Sequence, residues 1–135
     1  MEEMTVQATV DNVEVVTDFI NKQLDALHCP IPVKIQIDIA IDEIFSNIVN
    51  YAYSPEEGPA TVRMDVADEP HSVIITFIDH GKPYDPLTTA APDMTLAAKQ
   101  RRIGGLGVFV VKKSMDDVAY EYRDGMNILT IRKKV

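Results

Sequence analysis

The chain has one cysteine, Cys29, so no intrachain disulfide can form and a reducing compartment is the expected setting. Six glycines and eight prolines in 135 residues are too few for a low-complexity chain. No stretch approaches the roughly 18 uncharged apolar residues of a membrane span. The opening MEEMTVQATVDNVE has neither a basic region nor an apolar core, so it does not read as a signal peptide. Basic residues are in deficit: 13 Lys plus Arg face 21 Asp plus Glu, a formal charge of −8. That sign argues against a dedicated nucleic-acid binder and against an anionic membrane surface. His28-Cys29, His71 and His80 do not have the spacing of a zinc site. Internal repeats and linkers are absent as well. These absences point to a soluble, cytoplasmic protein.

What is present is ordinary globular composition, 46% hydrophobic and 25% charged, which excludes intrinsic disorder. The length implies one domain over residues 1–135, large enough to bury about two-thirds of its unfolded surface. Charge is uneven. From Met94 to Met115 there is no acidic residue, yet Lys99, Arg101, Arg102, Lys112 and Lys113 fall there. A small anion would be accepted best at that segment.

Residues 4–10 read as a short strand, and Asp11 with Glu14 as a capping box. Val13, Val16, Ile20, Leu24 and Leu27 then predict a helix over about 12–28, closed by Pro30 and Pro32. Residues 34–39 alternate like a strand, but Ile37, Ile41, Ile44 and Ile48 keep helical spacing. The length of 33–52 favours helix. Thr61–Ala67 and Ser72–Asp79 read as strands, the second apolar enough to be central. Residues 80–104 form a long loop rich in glycine and proline, and loops of that length are often functional. Leu106–Ser114 reads as a helix, and Val118–Tyr122 and Ile128–Arg132 as strands around an Asp124-Gly125 turn. Grouped strand pairs predict an α+β fold, a two-layer sandwich with helices on one face of a mixed, mostly antiparallel sheet.

Three constellations carry chemistry. Glu43 and Asn47 lie four apart, hence on one helix face, with Asp42 and Asn50 nearby. A carboxylate beside a carboxamide supplies a base and a hard-cation ligand, although a polar solvent face is the plainer reading of the pair alone. Asp79-His80-Gly81-Lys82-Pro83-Tyr84-Asp85-Pro86 follows the apolar strand. A buried Asp79 needs a partner such as an exocyclic amine, and Gly81 permits close approach, although these are also turn residues. Gly104-Gly105-Leu106-Gly107 opens the last helix behind Lys99, Arg101 and Arg102. Backbone amides there suit phosphate, but a flexible loop is the simpler alternative. The stretch has neither the Walker A ending nor the dinucleotide spacing. Tyr120 and Tyr122 read as packing residues.

The order of these signals is more specific than any one of them. ExxxN at Glu43 and Asn47, DxGxP at Asp79, Gly81 and Pro83, and GGLG at Gly104 to Gly107 resemble the ATP-binding domain of gyrase, Hsp90, histidine kinases and MutL. Asp42–Ile48, Tyr84-Asp85-Pro86, Gly105–Lys112 and Met115–Val118 are similar to its small bacterial branch, the anti-sigma factor serine/threonine kinases. The resemblance covers nearly the whole chain. It implies the Bergerat, or histidine kinase-like ATPase, fold, with residues 33–52 helical. It implies ATP and Mg²⁺, Glu43 as general base and Asn47 as metal ligand. Nucleotide contacts would come from Asn47, Asn50, Asp79, Gly81, Tyr84, Arg101, Arg102, Gly104, Gly105, Leu106, Gly107 and Val108, under a lid of residues 85–104. Such kinases phosphorylate a serine on an anti-sigma factor antagonist and bind a sigma factor, without touching nucleic acid or membrane. They are commonly homodimers, here through residues 4–28. A nucleotide-gated binding module without kinase turnover is the alternative. A histidine kinase fragment does not fit, because no phosphoacceptor helix pair precedes the domain.

Overall fold

The computed structural model describes residues 1–53, 55–68, 71–88 and 105–135, with only the backbone of 88 and 105–107. The expected lid therefore lies outside the described residues beyond position 88, as do Arg101, Arg102 and Gly104. The elements in chain order are β1 (Glu2–Gln7), α1 (Asn12–Ala26), α2 (Ile31–Asn47), β2 (Pro59–Asp68), β3 (His71–Asp79), α3 (Gly105–Ser114), β4 (Asp117–Arg123) and β5 (Met126–Lys134). A π-helical turn over Ile48–Ala52 extends α2, and a 3₁₀ turn covers Pro86–Thr88.

Local chemistry sets most of these limits. Pro32 sits in the first turn of α2, where its missing N–H costs nothing. Asp124 and Gly125 both have positive φ, at 53° and 77°, the geometry of a tight hairpin turn between β4 and β5. The capping box expected at Asp11 does not form. Asp11 already has helical dihedrals and makes no side-chain cap bond, whereas a capping residue needs an extended backbone. Instead Asn12 Nδ2 donates to the Gln7 carbonyl at 2.7 Å, which ties the start of α1 to the end of β1. The first strand is accordingly Glu2–Gln7 rather than 4–10.

The sheet order is β1-β2-β3-β5-β4, and every pairing is antiparallel. The two-layer α+β reading holds, but the sheet is not mixed. β3 and β4 do run parallel across the α3 connection; the returning β5 is inserted between them and pairs antiparallel to both. One face of the sheet is buried. Val62 and Met64 of β2, Val73, Ile75 and Phe77 of β3, and Leu129 and Ile131 of β5 join one core with Val16, Ile20 and Leu24 of α1. Ile37, Ile41, Ile44 and Phe45 of α2 and Val111 of α3 complete it. Alternation carries Asp79 and Asn127 onto this same helix-covered face, directly opposite each other in register. Among the described residues, no helix is long and apolar enough to cross a membrane.

Candidate functional site

A cleft opens at the end of the sheet where β3 and β5 meet α2. Ile44, Asn47, Ile48 and Ala52 form its helical wall. Phe77, Asp79, Tyr120, Asn127 and Leu129 form the sheet wall, and Tyr84 and Pro86 stand at the mouth. The cleft is apolar apart from a few convergent polar groups.

Asp79 is the most demanding of these groups, because a carboxylate that is only 5% exposed needs compensation. Its Oδ1 accepts from the Gly81 amide and from Asn127 Nδ2, each at 2.9 Å. No hydrogen bond to Oδ2 forms among the described residues, so that oxygen remains as an acceptor at the pocket. Gly81 is required here by contact. A Cβ on it would lie 2.2 Å from the Ala52 carbonyl oxygen and 2.5 Å from its carbon. The same carbonyl accepts from the Lys82 amide at 2.9 Å. The π-helical turn thus docks its last residue against the loop after β3; such turns are frequent at functional sites. Gly81→Ala should destabilise the protein by about 1–3 kcal/mol through this clash. Urea denaturation checks the effect, and an unchanged midpoint would refute the close approach.

Asn127 is the pocket residue that sequence reasoning missed. Its Nδ2 donates to Asp79 and, at 2.8 Å, to the Lys82 carbonyl. Its Oδ1 accepts from the Tyr84 amide at 3.0 Å and from the Tyr120 hydroxyl. Each polar atom of the amide thus holds two partners, and its orientation is fixed. The available signal was a polar residue in phase with Leu129 and Ile131 on a strand whose other members on that side are core. Tyr120 is more than packing: it lines the pocket, and burial pushes its hydroxyl pKa up. Tyr53 supports the loop from behind. Its hydroxyl donates to the Pro59 carbonyl at 2.6 Å and accepts from the His80 amide at 2.8 Å.

Asn47 Nδ2 donates to Glu43 Oε1 at 3.3 Å. Burial pushes the Glu43 carboxyl above its ordinary value; the Asn47 bond opposes this and the neighbouring Asp42 charge adds to it. Asn47 reaches the pocket wall, and Glu43 sits one turn back along α2. With its amide nitrogen turned to Glu43, the Asn47 oxygen makes no hydrogen bond among the described residues. A single free carboxamide oxygen fits a Mg²⁺ that keeps waters and phosphate oxygens as its other ligands. No cluster of three or more His, Cys, Asp or Glu among the described residues could hold a metal alone.

The other expected residues divide. Tyr84 lies at the mouth, its ring 5.5 Å from that of Tyr51. Gly105, Leu106 and Gly107 begin α3, as the glycine run implied. Val108 is buried in the core and is not part of the pocket wall. Asn50 is not brought to the wall either. It is exposed on the π-helical turn, where the changed winding carries position 50 away from the Asn47 face.

The fold, an antiparallel sheet backed by three helices with an aspartate-floored pocket under the middle one, defines a class. The chain belongs to the histidine kinase-like ATPase domain family, whose pattern matches residues 6–133. Among curated proteins it is 28% identical over 95 residues to the serine/threonine-protein kinase BtrW of Bordetella bronchiseptica, covering 70% of this chain and 66% of that one. It is 32% identical over 98 residues to the serine-protein kinase RsbW of Listeria monocytogenes, covering 69% and 61%. The chain thus spans slightly under two-thirds of the length of these relatives. In solved structures, the fold resembles the RsbU and RsbW domains of Rv1364c from Mycobacterium tuberculosis, with TM-score 0.68 and 14% identity over 99% of this chain and 32% of that one. It also resembles the SiaB-SiaC complex of Pseudomonas aeruginosa, with TM-score 0.60 and 15% identity over 96% and 88%.

Proposed function

We propose that this chain is an ATP- and Mg²⁺-dependent protein serine/threonine kinase of the anti-sigma factor type. Its phosphoacceptor is a serine on an anti-sigma factor antagonist, and the phosphorylation governs release of a sigma factor. The reading includes a single cytoplasmic domain over 1–135 that pairs as a homodimer through residues 4–28. The observation that carries it is the pairing of Asp79, with one oxygen spare at the pocket, and Glu43–Asn47 along the adjacent wall. One end of the cleft suits an adenine amino group, and the other suits phosphate chemistry.

In this reading Asp79 Oδ2 accepts from the adenine amino group, and Asn127 holds Asp79 in place. Asn47 offers its oxygen to Mg²⁺, which neutralises phosphate charge when bound. Gly105 and Gly107 give backbone amides to phosphate, aided by Arg101 or Arg102. Glu43 takes the proton of the acceptor serine as that oxygen bonds to the terminal phosphorus and the bond to the ADP oxygen breaks. Positioning and charge neutralisation supply most of the acceleration in such transfers.

The first test is thermal stability with and without Mg·ATP. Ligand at about 100 times its Kd adds roughly 2.7 kcal/mol, several degrees for a chain of this size. The second test is single-turnover transfer from labelled ATP to an anti-sigma factor antagonist protein. No thermal shift sinks the nucleotide site. A shift without transfer leaves a nucleotide-gated binding module.

A further inference from the structure

Ile31, Ile35 and Ile39 of α2 are 71%, 53% and 48% exposed. They recur every fourth residue and so form one diagonal ridge on the helix. Continued by the same step, that ridge runs through Glu43 to Asn47. Each step advances about 6 Å along the axis and turns about 40° around it. Three isoleucines on the solvent side therefore lead, over about 18 Å, to the carboxylate beside the pocket.

The fold does not require the ridge. The core side of α2 is already filled by Ile37, Ile41, Ile44 and Phe45. Helix formation does not explain it either, since isoleucine is a poorer helix former than alanine, leucine or lysine. Exposed Val15, Val66, Val110 and Tyr122 fall one each on α1, β2, α3 and β4.

We infer that the ridge Ile31–Ile35–Ile39 is the docking rail for the protein phosphoacceptor, seating it so that its serine hydroxyl meets Glu43. The inference rests on the kinase reading above and adds the surface that reading lacks. Charge selects the occupant. α2 itself carries Asp38, Asp42 and Glu43 against one base, Lys34, which is already paired with Asp25. A second copy laid along this ridge would set like charge against like, whereas the homodimer proposed above pairs elsewhere, through residues 4–28. The surface that fits is an apolar patch flanked by basic side chains, next to the acceptor serine.

The test compares wild type with Ile31→Asp/Ile35→Asp and with the milder Ile31→Ala/Ile35→Ala, both two or more helical turns from Glu43, using the antagonist that wild type phosphorylates. The aspartate pair should raise the KM for that protein about tenfold or more. kcat at saturation, the KM for ATP and the melting temperature should stay near wild type. The alanine pair should shift the same KM in the same direction by less. An unchanged protein KM overturns the rail while leaving the kinase intact. A changed oligomeric state in sedimentation, with unchanged KM, overturns it in favour of a second copy. A wild type that binds Mg·ATP yet phosphorylates no antagonist overturns the kinase reading and the rail with it.

Discussion

Glu43→Gln should reduce phosphoryl transfer by about 10²–10⁴-fold, the usual contribution of a positioned base, while Mg·ATP affinity changes only a few-fold. Glutamine keeps an oxygen for the Asn47 amide, so the helix face and pocket wall survive. What is lost is a group that can take the serine proton. Because burial raises the Glu43 pKa, the acid limb of the transfer rate should lie above the ordinary glutamate range, with the rate rising as Glu43 deprotonates. Asp42→Asn should move that limb down, since a neighbouring negative charge disfavours the ionised form. Stability has the opposite sign. A carboxyl whose folded pKa is raised contributes stability below its unfolded pKa and loses it as pH rises through the folded one. Glu43→Gln should therefore leave the nucleotide-free protein slightly more heat-stable at neutral pH. Single-turnover rates across pH, with melting temperatures alongside, check both; transfer at the wild-type rate would sink the base assignment.

Asp79→Asn should cost about 10²-fold or more in ATP affinity and shift preference toward a nucleotide with a carbonyl in place of the amino group. Site geometry dictates the sense. The Gly81 amide and Asn127 Nδ2 both donate toward the Oδ1 position, so an asparagine must place its oxygen there. Its NH₂ then faces the pocket, where the carboxylate presented an acceptor. A donor meets the adenine amino group, and a buried polar mismatch of that kind is heavily penalised. Inosine triphosphate, with a carbonyl at that position, gains a partner. Thermal shifts with ATP and inosine triphosphate, on wild type and variant, report both changes. Equal ATP shifts in the two proteins would mean that Asp79 does not read the base.

Much of this was legible from residue order, and the parts that were not have physical reasons. The strand-like alternation of Ile35, Ile37, Ile39 and Ile41 arises because α2 serves two faces. Ile37 and Ile41 enter the core while Ile35 and Ile39 meet solvent, so the 3.6-residue period is blurred by a helix apolar all round. Asp11 carried the right residue type for a cap, but chain geometry gave that part of the helix start to Asn12. The all-antiparallel sheet was hidden because insertion of β5 between β3 and β4 is a long-range event that no local pattern encodes. Glu43, Asn47, Asp79 and Gly81 stood out through their spacing. Asn127 did not, since its importance depends on a register partner 48 residues away. Asn50 was drawn in by helical proximity, which the π-helical turn undoes.

The seam between β3 and β5 also bears on the order of assembly. β2 with β3, and β4 with β5, are hairpins that can form locally and early, whereas β3–β5 pairing joins Ser72 to Lys134 and must close a long loop. Asp79 and Asn127 face each other across that long-range join. A nascent chain released only through α3 would have its aspartate, its glycine turn and α2, and still no finished floor to the pocket. Nucleotide competence would then appear all at once, with the zipping of the final strand, and ATP present during refolding should capture the product of that step rather than hasten it.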